Sequence, residues 1–173
     1  MASLTAPTTC AVRAAQASDG KAIAALAVQL GYQCMAPQVR KRLDDMKDSR
    51  QYRVFVAVLP HGELVGWIGV YIFRAVQLDT FAEISGLVVD ETLRSRGIGK
   101  ALLNAAEDWA RRVGCEAISV NSNVIRDRAH RFYLSNGYEL IKTQNFPQEL
   151  LNAVKLSAPG RPTAADFLNG LFD

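Results

Sequence analysis

Residues 80–120 place the tightest limit on what this chain can fold into. Thr80 to Val89 is an apolar run of strand type. A turn follows, then a helix to about Val113 that sets Ile98, Leu102, Ala105 and Trp109 on one side. Gly114 closes the helix, and Glu116 to Val120 reads as a buried strand. Strand, crossing helix and second strand lay two strands parallel in one sheet. Just upstream, Tyr52 to Leu59 and Glu63 to Phe73 are joined through Pro60-His61-Gly62, which reads as an antiparallel hairpin. Hairpin and crossover together require a mixed sheet with helices on both faces, an α/β fold of α+β character.

The flanking segments extend this order. Cys10 to Ala14 reads as a first strand. Ser18 or Asp19 is expected to cap a helix with Ile23, Leu26, Ala27 and Leu30 on one stripe, ended by Gly31. Pro37 starts a second helix with Val39, Leu43 and Met46 on one face. Asp127 to Asn136 is a short helix ended by Gly137, and Tyr138 to Thr143 begins another strand. Pro147 then interrupts, leaving Ala153 to Ser157 as the best candidate for a last strand. One domain is therefore expected over residues 1–157. Ala158 to Pro162 is a linker within a tail, residues 158–173, that ends in the apolar cluster Phe167, Leu168, Leu171 and Phe172. Docking of that cluster on its own subunit, docking on a partner and loose order all fit the sequence.

The turn between the long strand and its helix is Arg94-Ser95-Arg96-Gly97-Ile98-Gly99-Lys100-Ala101. A helix start offers N–H groups without intrahelical partners and about +0.5 of an elementary charge. Gly97 and Gly99 carry no Cβ, so an oxygen-rich ligand can approach the backbone. Arg94, Arg96 and Lys100 add charge, and the whole reads as a diphosphate cradle. It is not a P-loop, because Ala101 stands where Ser or Thr would hold magnesium. It is not a dinucleotide fingerprint, because Leu102 replaces the third glycine.

The pattern Arg-x-x-Gly-x-Gly resembles the acetyl-CoA pyrophosphate loop of the GNAT N-acetyltransferases. Arg126-Asp127-Arg128-Ala129-His130-Arg131-Phe132-Tyr133-Leu134-Ser135-Asn136-Gly137-Tyr138 resembles that family's later motif, one helix and one strand further on. The resemblance covers roughly Val12 to Thr143. It implies the GNAT acyl-CoA N-acyltransferase fold, in which the fourth and fifth strands splay to admit the pantetheine arm. Ser85-Gly86 fits a bulge in the fourth strand, since glycine inside a strand often marks one.

The resemblance also implies a transferase site. Acetyl-CoA is the expected co-substrate, with no metal. Main-chain groups of Leu87, Val88 and Val89 would pair with pantetheine, and the Val89 N–H would face the thioester oxygen. Arg94 to Lys100, including Ser95 and Ile98, would surround the diphosphate. Arg126 stands where many members carry an asparagine, so its contact is expected at most with a phosphate. Tyr133 is the expected acid for the departing thiolate, since a phenol is protonated at neutral pH. Glu83 is the expected base; an ammonium anchor and a solvent-facing strand residue are its other readings, and many members use a water chain instead. Tyr32, Gln33 and Met35, in the loop between the first two helices, are expected to touch the acceptor. His130 shares a helix face with Tyr133, although a helical His is more often a packing or surface residue. Asp44, Asp45 and Asp48 read as a solvated face.

Composition narrows the partners. The chain has 173 residues, 49% of them hydrophobic, enough for one sizeable core. A net charge of +3 is too mild to argue for nucleic acid. The apolar runs are of strand length, far below the ~20 residues of a membrane span. Met1 to Thr9 lacks the features of a secretory signal. Cys10, Cys34 and Cys115 with two histidines assemble no zinc pattern and read as reduced thiols, so a cytoplasmic protein is expected. The expected partner is a small-molecule or peptide amine; monomer and homodimer both fit. A catalytically silent acyl-CoA-binding module is the competing function.

Overall fold

The computed structural model describes residues 8–76, 78–123, 127–141 and 153–157. Its elements are β1 (Ala11–Ala14), α1 (Gly20–Val28), α2 (Ala36–Met46), β2 (Tyr52–Val58), β3 (Leu64–Ala75), β4 (Leu78–Val89), α3 (Ile98–Arg112), β5 (Ala117–Asn123), α4 (Asp127–Ser135), β6 (Glu139–Ile141) and β7 (Ala153–Ser157). The strands hydrogen-bond in the order β1-β2-β3-β4-β5-β7-β6. The β4–β5 pair is parallel, as the crossover through α3 requires, and β5–β7 and β6–β7 are antiparallel. The mixed α/β sheet is the one the sequence implies. Its last strand is Ala153–Ser157, seated between β5 and β6. Residues 158–173 lie outside the described residues.

The chain divides into two compact units. The first comprises Met1–Val70 and Gly86–Asp108, the second Tyr71–Ser85 and Trp109–Asp173. In the first, Ile23 and Ala24 of α1, Val39 and Leu43 of α2 and Val56 of β2 form a buried cluster, with Trp67 of β3 packed against it. Helical spacing on α1 and α2 supplies that apolar face. In the second unit, Phe73 and Phe81 stack across the β3–β4 hairpin with centroids 4.9 Å apart. Phe132, Tyr133 and Tyr138 form an aromatic group at the end of α4, with centroid spacings of 5.2 and 5.3 Å. Cys115 is buried before β5, in the core role expected of it, and the three cysteines are free thiols.

The entry to α1 holds a 3-10 turn, Ala17–Asp19, with Gln16 at its own N-cap. Asp19 then stands at the N-cap of α1, one of the two positions expected, but makes no side-chain cap hydrogen bond there. Asp19 accepts the Gln16 N–H at 2.8 Å and forms a two-point ion pair with Arg13 of β1 at 2.7 and 2.9 Å. It is 9% exposed. With its oxygens on Arg13 and the Gln16 N–H, Asp19 makes no side-chain cap bond to α1. The Arg13 guanidinium, helped by the Gln16 N–H, holds the Asp19 carboxyl below its ordinary value despite burial. A depressed folded-state value means the stabilisation is complete above the unfolded value, about 3.9, and is lost as pH falls through the lower folded value. Urea midpoints measured against pH should therefore fall on acidification below about 4. Asp19→Asn should flatten that part of the curve, and an unchanged slope would remove Asp19 from it.

Candidate active site

The turn after β4 is built from both ends. Asp90 donates its N–H to the Val65 carbonyl at 2.8 Å and caps Thr92 through the Thr92 N–H and hydroxyl at 3.0 and 2.6 Å. Those Thr92 bonds, the hydroxyl foremost, hold the Asp90 carboxyl below its ordinary value. Ser95 takes φ +63° and Gly97 φ +84°, both in the left-handed region, so the chain turns sharply before α3. The Gly97 carbonyl accepts the Ala101 N–H at 3.0 Å. Helix geometry then leaves the N–H groups of Ile98, Gly99 and Lys100 without intrahelical acceptors. A Cβ on Gly97 would meet nothing within 4 Å, so the space over the turn is open. Ile98 is buried, Arg96 and Gly99 half-buried, and Ser95 and Lys100 exposed. This open, positively polarised turn fits a diphosphate.

Arg94 has protein partners of its own. It is half-buried, its Nε donates to the Val89 carbonyl at 3.1 Å, and an Nη reaches Gln29 at 3.4 Å. Gln29, at the C-terminal end of α1, also accepts the Glu91 N–H at 3.1 Å and donates to Asp90 at 3.2 Å. One glutamine side chain thus ties α1 to the turn. Nothing in the local sequence at Gln29 signals this, because its partners lie about sixty residues away.

β4 changes phase between Glu83 and Gly86. Glu83 meets Tyr71 of β3, and a Cβ on Gly86 would come within 3.0 Å of the Trp67 ring. Tyr71 and Trp67 are separated by an even number of residues and share a face of β3, whereas Glu83 and Gly86 are separated by an odd number. The alternation slips by one residue, which is a bulge at Ser85–Gly86. The register with β5 runs from Phe81↔Ala117 to Ile84↔Val120, ending just before it. Leu87 and Val89 are half-buried and Val88 is buried.

Glu83 is half-buried, and its Oε1 accepts the Tyr71 hydroxyl at 2.5 Å. Tyr133 is 4% exposed, and burial raises its phenol from the ordinary value, so it stays protonated. Both belong to the second unit, as does His130, whose Nε2 is buried without a hydrogen-bond partner. In the first unit, Tyr32 and Met35 are 61% and 67% exposed and Gln33 is exposed, all on the loop after α1. Arg126 lies outside the described residues. Sequence reading missed Tyr71, Trp67 and Gln29. Hairpin register was the available signal for Tyr71, since the Phe73–Phe81 stack fixes Tyr71 opposite Glu83.

Residues 19–138 match the profile of the acetyltransferase (GNAT) family. The chain belongs to that family. Among curated relatives, this GNAT chain is similar to an aminoalkylphosphonate N-acetyltransferase of Salmonella typhimurium, 40% identical over 82 residues, 47% of this chain and 53% of that protein. It is also similar to an aminoglycoside N(6')-acetyltransferase type 1 of Stenotrophomonas maltophilia, 28% identical over 72% of this chain and 84% of that protein. The chain spans about half the length of the first of these relatives. The solved PaiA N-acetyltransferase of Thermoplasma acidophilum, in complex with coenzyme A, shares the fold with a TM-score of 0.70 at 14% identity over 87% of this chain and 99% of that one. Among the described residues, no GNAT helix is long and apolar enough to cross a membrane.

Proposed function

We propose that this protein moves an acetyl group from acetyl-CoA to a primary amine by direct attack in a ternary complex. The observation that carries the reading is the open turn at Gly97–Lys100, whose helix N–H groups without intrahelical acceptors and flanking Arg96 and Lys100 suit a diphosphate. Membership of the GNAT family supports it. Arg94 frames the turn through Val89 and Gln29. Acetyl-CoA, when bound, supplies a thioester carbonyl. Main-chain groups of Leu87, Val88 and Val89 hold the pantetheine arm. Glu83 takes a proton from the attacking amine, and Tyr133 gives one to the sulfur as the carbon–sulfur bond breaks and the carbon–nitrogen bond forms. Tyr32, Gln33 and Met35 contact the acceptor. A small amine is favoured by the relatives' substrates, aminoalkylphosphonates and aminoglycosides.

The test is incubation with acetyl-CoA and a panel of an aminoalkylphosphonate, an aminoglycoside, a polyamine, an amino acid and a peptide N-terminus. Free thiol and acetylated product are read by mass spectrometry. Thiol release with one acceptor class is expected, and acetyl-CoA binding without release would mark a silent binding module. Glu83→Gln keeps the shape and removes the proton acceptor. Its kcat should fall at neutral pH and partly recover as pH rises, because the free amine then forms unaided. A flat loss at every pH would make Glu83 an ammonium anchor.

A further inference from the structure

Three adjacent strands of the second unit carry Tyr71, Glu83 and Ser119 at one level. On β3, the Tyr71 hydroxyl donates to Glu83 Oε1 at 2.5 Å. On β5, Ser119 is the register partner of Glu83, and paired residues of neighbouring strands project from the same face about 5 Å apart. Ser119 is 2% exposed, yet its Oγ has no hydrogen-bond partner. Ser119 therefore gives the carboxylate no donor. Phe73 and Phe81 fill the same face toward the hairpin end. Among the described residues of this face, Tyr71 holds Glu83. A carboxylate has two oxygens and about four lone-pair sites. With Oε1 held by Tyr71, no described side chain is bonded to Oε2, which can take a further donor.

We infer that Tyr71 is the positioning residue for Glu83: its hydroxyl fixes Oε1 so that Oε2 faces the acceptor amine. This rests on the reading of Glu83 as the group that meets the amine. The neighbouring hydroxyl at Ser119 is no substitute, since it bonds to neither carboxylate oxygen.

The test has one arm free of turnover. In the unliganded protein, 13C relaxation of the Glu83 side-chain methylenes reports its order. Tyr71→Phe should lower that order, while Ser119→Ala should leave it unchanged. The turnover arm is a double-mutant cycle. Tyr71→Phe should lower kcat on the order of tenfold with the acceptor KM nearly constant, as expected for a misoriented reacting group. In the Glu83→Gln background the same change should cost nothing further. If Tyr71→Phe folds poorly, site-specific 3,5-difluorotyrosine at 71, measured at mildly acidic pH where its phenol stays protonated, keeps the shape with a stronger donor and should raise the order. Unchanged Glu83 order in both substituted proteins would overturn the inference. An undiminished kcat loss in the Glu83→Gln background would do the same. If no amine is acetylated, the proposed function fails while the relaxation arm still decides whether Tyr71 positions Glu83.

Discussion

Tyr133→Phe should lower kcat on the order of 10²-fold, within the usual range for a positioned proton donor. The substitution removes one hydroxyl and almost none of the packing that Phe132 and Tyr138 make with the ring. A merely structural tyrosine would therefore tolerate it. Burial keeps the phenol protonated, so the proton is present to be given. Affinity for acetyl-CoA should barely move, because the proton is needed as charge develops on sulfur and not before. A donor with a better leaving group, such as an activated aryl thioester, needs that proton less, and the defect should shrink with it. Normal turnover of acetyl-CoA by Tyr133→Phe would assign thiolate release to water or to another residue.

Gly99→Glu should weaken acetyl-CoA binding at least tenfold, about 1.4 kcal/mol. Gly99 lies in the first turn of α3, where the N–H groups without intrahelical partners gather. A carboxylate there adds bulk and opposes the charge of a diphosphate. Circular dichroism should remain that of the parent, since a glutamate in the first turn of a helix suits its dipole. Calorimetry that returned the parent affinity would move the cofactor away from this turn.

The fold was legible wherever a local rule governed it. The 3.6-residue stripe of α3, the positive-φ glycines Gly31, Gly114 and Gly137 at helix ends, and the Pro60-His61-Gly62 hairpin all stand where their residues put them. The bulge at Ser85–Gly86 was legible because glycine inside a strand is costly without a reason, and the Trp67 ring over Gly86 supplies one. Ala153–Ser157 was readable as a strand, but its seat between β5 and β6 was not, because strand order depends on pairing far along the chain. Three sets of contacts stayed hidden as well. Asp19 keeps its place at the α1 N-cap but gives its oxygens to Arg13 on β1. Arg94 also bonds to Val89 and Gln29. Tyr71 reaches Glu83 across a hairpin. The fold brings Gln29 to Arg94 and Tyr71 to Glu83, whereas Arg13 and Val89 lie only six and five residues from their partners and are missed because they sit on neighbouring elements.

The central claim is direct acetyl transfer to an amine. Its most immediate measurement mixes the protein with 13C-labelled acetyl-CoA and the best acceptor of the panel, then weighs every product and the intact protein. The expected result is free coenzyme A thiol and labelled amine in equal amounts, with the protein mass unchanged throughout. Label retained on the protein would contradict direct attack, and acetyl-CoA left intact beside every amine would contradict acetyl transfer itself.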